Sequence, residues 1–238
     1  GAPAAYHAVK IARESPDLRV GLHIVLADGQ ATSPASRIPA LVGRDGRFGD
    51  RMVRDGFRFF FLRHVRRQLA TEIRAQFEAF AATGLALDHV NTHKHFHLHP
   101  TVLSLILDIG REFGLRAMRL PLETGAPLPL RPWMSLVRAR LDRADIAHND
   151  HVCGMARSGA MDTSAMLDAL ARLPAGVTEI YCHPAIPADT PLTPSMRGYR
   201  HADELDALLS ARVAAAIASA GLACGGFADL CTPRARVR

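Results

Sequence analysis

The chain has 238 residues, 48% of them hydrophobic, and carries a formal net charge of +6 with a pI near 9.7. That is enough apolar content for a sizeable core and suits a single domain over 1–238, while no apolar run reaches the roughly 18–20 residues of a membrane span. The basic excess could serve an anionic membrane or an acidic substrate, but no nucleic-acid motif or aromatic stacking platform accompanies it, so no nucleic-acid partner is expected.

The elements alternate. Residues 3–14 form a helix with an apolar stripe, and Arg19 to Leu26 reads as a strand buried on both faces, interrupted by His23. Residues 27–52 make a loop rich in Gly, Pro, Asp and Ser, long enough to suggest function. A single long helix is expected over 56–82, closed by Gly84. It opens with Phe57, Phe59, Phe60 and Phe61 set among Arg58, Arg63, Arg66 and Arg67. Arg44 to Arg67 hold eight Arg against Asp45, Asp50 and Asp55. This composition in 54–67 resembles an interfacial amphipathic helix as much as a core-facing one.

Leu85 to Val90 reads as a short strand, and Pro100 opens a helix to about Phe113, where a missing N–H costs nothing. Five of the chain's twelve histidines fall between His89, near the end of that strand, and Pro100. Then come a short strand at 115–120, a Pro-rich loop at 121–132 and a helix at 133–143. An ambiguous segment at 147–152 and a helix at 162–172 follow. Next are a strand at 177–182 ending in His183-Pro184, a loop at 185–200, an Ala-rich helix over 203–220 and a last short strand at 221–227. Alternation of this kind predicts an α/β fold with a mainly parallel sheet or barrel, whose site lies at the C-terminal ends of strands.

His23, His93 and His183 each fall in or just after a strand. If the backbone stays extended, His93, His95, His97 and His99 share one face. Imidazoles suit zinc and related divalent ions. His23 and His93 are the candidate ligands for one such ion, Mg2+ or Zn2+, with the third ligand missing from the obvious positions. His183 suits a general acid or base. Arg119 and Arg116 could bind an oxyanion or orient a carboxylate, and Asp150 and Glu204 are carboxylates near element ends. His95 and His97 are expected to shape the substrate pocket or orient His93. No Gly-x-Ser-x-Gly elbow, P-loop or Gly-x-Gly-x-x-Gly is present. Cys153, Cys182, Cys224 and Cys231 are scattered without metal-knuckle spacing and read as reduced, cytosolic thiols.

The run Asp88-His89-Val90-Asn91-Thr92-His93-Lys94-His95-Phe96-His97-Leu98-His99-Pro100 resembles the signature of the YdjC-like carbohydrate deacetylases, most of all their hopanoid-biosynthesis-associated branch (HpnK). Val20-Gly21-Leu22-His23, Leu115-Arg116-Ala117-Met118-Arg119, Tyr181-Cys182-His183-Pro184-Ala185, Glu204-Leu205-Asp206 and Gly225 to Leu230 extend the match over nearly the whole chain. The resemblance implies a distorted TIM-like (β/α) barrel and a divalent metal ligated at His23 and His93. It implies hydrolysis of the acetamide of an N-acetylglucosamine conjugate, a hopanoid-linked glycolipid or, as the alternative, a chitooligosaccharide. A non-catalytic metal- or sugar-binding protein is the competing class. The family's catalytic base and remaining metal ligand come from an N-terminal Asp-Asp-x-Gly motif absent here, so the chain, which starts at Gly1, is expected to lack the family's first strand. The implied setting is cytoplasmic, peripheral at the inner membrane through 54–67, with a homodimer left open.

Overall fold

The computed structural model describes residues 4–123, 130–186 and 194–230. Cys231, Arg234, Arg236 and Arg238, residues 124–129 of the Pro-rich loop and the middle of the 185–200 loop lie outside the described residues. The chain divides into two units. One comprises the described parts of Gly1–Arg119, Ala139–His148 and Gly226–Arg238, the other those of Leu120–Arg138 and Asn149–Gly225.

In the first unit, β1 (Leu22–Ile24) pairs in parallel with β2 (Val90–Thr92), with His23 opposite Asn91. Parallel bridges continue the row from Val90 to Met118 and from Ala117 to Ala147. The strand expected at 115–120 is thus reduced to two bridged residues. Leu22, Ile24, Val90, Ala117 and Met118 are buried along this row. In β1 only Leu22 and Ile24 turn inward; His23 is exposed, against the expectation of a strand buried on both faces.

Helices cover the row. α1 (Ala5–Glu14) precedes β1, and α2 (Met52–Phe61) and α3 (Arg63–Ala81) lie between the strands. α4 (Pro100–Glu112) follows β2. Leu69, Ile73 and Phe77 of α3 and Val102, Leu103 and Ile106 of α4 are buried, the three-and-four spacing of an apolar stripe. A Cβ at Gly110 would come within 3.0 Å of Leu115 and Phe77 side-chain atoms, so this contact requires glycine. The single helix expected over 56–82 is two helices, broken at Leu62, whose backbone is extended. Gly84 ends α3 as expected, at φ +72°.

The loop 27–52 is tied to α3. Gln76 bonds both the N–H and the C=O of Val25. Glu72 accepts from the N–H groups of Thr32 and Ser33, each at 2.9 Å, and Gln68 accepts from Ala40 N–H at 2.7 Å.

The second unit holds β3 (His151–Cys153) and β4 (Thr178–Ile180), also parallel, with a parallel bridge from Glu123 to Val152. α5 (Leu130–Arg143) runs out of this unit after Arg138. α6 (Thr163–Leu170) is capped by Asp162, whose side chain accepts from Ala165 N–H at 2.9 Å. Met161, Ala165 and Met166 pack with Ala207 and Val213 from α7 (His201–Leu209) and α8 (Ala211–Ser219). The helix expected over 203–220 is therefore also two, broken at Ser210. No strand forms at 221–227; a short helix, α9 (Phe227–Leu230), follows instead and belongs to the first unit. An α/β fold with parallel strand pairs is what the chain adopts. No helix among the described residues is long and apolar enough to cross a membrane.

Candidate metal centre

His23 of β1 and Asn91 of β2 are opposite each other in the register and share one face of the pair. His23 stands on β1, and His93 follows the last residue of β2. His23 Nε2 and His93 Nδ1 are 3.5 Å apart, with the rings nearly perpendicular. Two nitrogens bound at zinc-like distances in a tetrahedron sit about 3.3–3.4 Å from each other. The pair therefore fits a single divalent ion without rearrangement. Among the described residues no cluster of three or more His, Cys, Asp or Glu is assembled around a common point.

The other histidines do not continue the row. β2 ends at Thr92, and residues 93–98 form a 3₁₀ turn kinked at Lys94 and His95, both at positive φ (+52° and +53°). Asp28, in the loop after β1, is also left-handed at φ +48° and pairs with Lys94 at 3.2 Å. Three non-glycine residues in this conformation beside one histidine pair mark a strained, over-determined local structure. The kink breaks the expected alternation, so His93, His95, His97 and His99 do not share a face. His97 is fully buried; Thr92 Oγ1 lies 2.8 Å from its Nδ1 and accepts its backbone N–H at 3.0 Å. It was expected to shape the substrate pocket, but with no exposed surface it braces the turn from behind. Burial, reinforced by the positive charges of His95 and Arg119, pushes its pKa down to about 3, so it stays neutral. His95 stays half-buried in the turn, its ring edge-on to His97. His99 turns the other way, with burial lowering its pKa, and lines an apolar cavity of about 490 Å3 with Met52, Phe57, Phe60, Phe61 and Phe96.

Arg119 is buried, and its backbone N–H donates to Val90 O. Arg116, three residues earlier, is exposed. The two arginines cannot act as one clamp, because an odd offset on an extended segment sends them to opposite faces.

In the second unit His183 follows β4. Its ring packs edge-on against Tyr181 and Tyr199, with centroids 5.3 and 5.1 Å away. Its backbone N–H donates to Glu204, which also accepts Met161 N–H at 2.9 Å, and its C=O accepts from His201 Nδ1 at 2.5 Å. Glu204 was expected at the substrate. It is wholly buried, and its two oxygens are occupied by those backbone groups, so it positions His183 instead. Asp150 was the candidate internal base. It precedes β3, accepts Val177 N–H at 3.1 Å and lies 3.7 Å from Arg138. This places it at the N-terminal end of the β3–β4 pair, opposite the end that carries His183, and its job there is to close the turn at Gly176.

Residue-type reasoning passed over Asn91, whose Oδ1 lies 2.5 Å from His23 Nδ1. The signal was present: His89, Asn91 and His93 share strand parity. Tyr181 and Tyr199 were missed as well, because a ring wall leaves no spacing pattern.

Residues 1–219 match the family described as YdjC-like protein. A carbohydrate deacetylase of Brevibacillus brevis is 30% identical over 212 residues, covering 87% of this chain and 76% of that protein. A chitooligosaccharide deacetylase of Klebsiella pneumoniae is 28% identical over 225 residues, covering 94% and 82%. The crystal structure of an Enterococcus faecalis protein, provisionally described as a cellobiose-phosphate cleavage protein, superposes with a TM-score of 0.71 at 23% identity, covering 95% of this chain and 83% of that one. With the match running from the first residue to the end of α8 and spanning both histidine-bearing strand pairs, the chain belongs to the YdjC-like family.

Proposed function

We propose that the protein is a metal-dependent hydrolase that removes the acetyl group from an N-acetylglucosamine conjugate. The observation that carries this reading is the His23–His93 pair, 3.5 Å apart and shaped for one divalent ion, in a chain whose relatives are carbohydrate deacetylases. A Mg2+ or Zn2+ ion bound there supplies Lewis acidity, which polarises an amide carbonyl and makes water a stronger nucleophile. This chain's own groups take part of the work, the base for the water proton not being among them. His23 and His93 hold the ion through neutral imidazoles. His183, kept in place by Glu204 and its aromatic neighbours in the second unit, is the chain's candidate general acid. Arg119 offers positive charge to the developing oxyanion, and His95 binds the sugar; Arg116, on the opposite face, takes no part.

The substrate we propose is a lipid-linked, hopanoid-type amino sugar, reached from the cytoplasmic face of the inner membrane. Besides the sequence resemblance, the exposed apolar surface of α2 supports it: Phe57 and Phe61 are 63% and 67% exposed beside Arg51, Arg54, Arg63 and Arg67. A chitooligosaccharide is the second reading, favoured by the Klebsiella relative.

The test is acetate release by the longest reading frame that contains this chain. The substrates are an N-acetylglucosaminyl lipid and N,N′-diacetylchitobiose, assayed after chelation and after resupply of Mg2+ or Zn2+. Metal-dependent release from the lipid conjugate is expected. Faster release from the disaccharide would favour the second substrate. Metal binding without acetate from either would leave a non-catalytic binding protein and overturn the hydrolase reading.

A further inference from the structure

We infer that Asn91 is a positioning residue that locks His23 in the one tautomer able to bind the ion, and that His89 and Asp88 fix Asn91 in turn. The inference rests on the metal-site reading above and adds the device that orients one of its ligands.

The argument starts from donors that permit no choice. The backbone N–H groups of Phe227 and Ala228 point at Asp88, 3.0 Å from Oδ2 and 2.9 Å from Oδ1. Asp88 is buried and accepts from both. Its Oδ2 also lies 2.8 Å from His89 Nδ1, so that nitrogen carries the proton and donates. In a neutral imidazole the other nitrogen then accepts. His89 Nε2 lies 3.3 Å from Asn91 Nδ2, which donates to it. This settles the orientation of the Asn91 amide, which shape alone leaves open. Asn91 Oδ1 must then face His23 Nδ1, 2.5 Å away, and accept its proton. His23 is left with a bare Nε2, aimed at His93 Nδ1. Metal-binding histidines almost always donate their second ring nitrogen to such a partner, which fixes the ring and raises its basicity.

The relay is built rather than incidental. A Cβ at residue 21 would fall 2.5 Å from the His89 ring, so Gly21 on the neighbouring strand leaves room for that ring alone. Phe227 stacks on it with centroids 4.4 Å apart. The ring is held on both sides, and the relay ends at Asp88 on the main-chain N–H groups of Phe227 and Ala228.

The experiment measures Zn2+ affinity by calorimetry with the chelated protein, together with the tautomer of His23 from two-bond 15N–1H correlation, assigned with His23→Gln. Wild type should show His23 protonated at Nδ1. Asn91→Leu should lose that signature and bind Zn2+ roughly 10–100-fold more weakly. Asn91→Asp, which keeps an acceptor facing His23, should restore the tautomer and bring affinity back to within about threefold of wild type. Gly21→Ala, which touches no ligand, should displace the His89 ring and weaken binding in the same direction, guarding against an Asn91→Leu variant that fails to fold. His23→Ala and His93→Ala are the controls for the underlying reading. Unchanged Zn2+ binding in both would remove the metal site itself. Binding lost in those controls but unchanged in Asn91→Leu, with the Nδ1 tautomer retained, would overturn the relay alone.

Discussion

His97 shows how a buried imidazole couples the histidine turn to pH. Its ordinary value of 6.5 is depressed to about 3, chiefly by burial, so the folded protein excludes a proton that the unfolded chain takes up. The consequence has a definite sign. Above pH 6.5 neither state holds the proton and the contribution is fully present. Between 6.5 and about 3 the unfolded state binds more protons, so stability falls as pH falls, by up to ~1.4 kcal/mol per pH unit for this one group. Thermal unfolding of the wild type and His97→Gln from pH 7.5 to 4.5 checks it. The variant should be less stable at neutral pH but shallower in its pH slope, and parallel slopes would count against a neutral, buried His97. At this scale the sequence was half legible. His23 and His93 were visible as a pair because each lies in or just after a strand. His97 was not, because alternation holds only while the backbone stays extended, and Lys94 and His95 leave that region. Asp150 and Glu204 were drawn into the site by residue type alone. Their actual partners, backbone N–H groups brought close by β3–β4 pairing and by α7, have no signature in the sequence.

Among the elements, α3 carries more than its apolar stripe. Gln68, Glu72 and Gln76 recur every four residues, one above another on the same face, and bond Ala40, Thr32, Ser33 and Val25 in turn. The long loop that composition marked as functional is thereby pinned as a structural layer on the helix. Glu72 is wholly buried, and Gln76 donates to it at 2.7 Å. Glu72→Ala would leave two backbone donors without an acceptor and should cost about 2–4 kcal/mol by denaturant unfolding, with hydrogen-exchange protection lost at the Thr32 and Ser33 amides. Glu72→Gln, which keeps one acceptor oxygen, should cost roughly half as much. Full protection in Glu72→Ala would show that other contacts hold the loop. The two unexpected helix breaks share one cause. Buried positions run from Phe59 to Val65 across Leu62 and from Ala207 to Val213 across Ser210, six residues in each case. An unbroken helix returns a side chain to the same face after three, four or seven residues. A six-residue step needs one residue outside helical geometry, and Leu62 and Ser210 both take extended backbone. Neither is a Gly or a Pro, so breaker residues gave no warning, although the phase slip was there to be counted.

For the molecule as a whole, the order of helices and strands was legible because the apolar runs alternate with amphipathic stretches. The parallel pairing followed from that alternation. The strand lengths did not, because three-residue strands carry almost no periodic signal, and bridges at Met118 and Ala147 depend on partners distant in sequence. The charge distribution was legible too, and the structure sharpens what it can do. In the Phe57–Phe61 cluster only Phe59 is buried; Phe57, Phe60 and Phe61 face outward, and Phe57 and Phe61 stack on each other at 6.2 Å. Val53, one helical turn before Phe57, is 78% exposed, and Arg51, Arg54, Arg63 and Arg67, close by in sequence, are exposed too. Exposed apolar rings in a stretch rich in exposed arginine suit an anionic bilayer, where aromatic side chains enter the headgroup region while guanidinium groups remain at the phosphates. Co-sedimentation with phosphatidylglycerol-containing vesicles should therefore show binding that is strongest at low salt, where the Debye length is about 30 Å at 0.01 M. Binding should be weakened about tenfold or more in Phe57→Ser/Phe61→Ser, given roughly 1.5–3 kcal/mol for each fully buried Phe. Arg54→Gln/Arg67→Gln should reduce the salt dependence while leaving the apolar contribution. Because both pairs of substitutions lie on exposed positions, metal affinity and the midpoint of unfolding should stay at the wild-type values. Absence of vesicle binding by the wild type at low salt would remove the membrane contact and leave a water-borne oligosaccharide as the substrate.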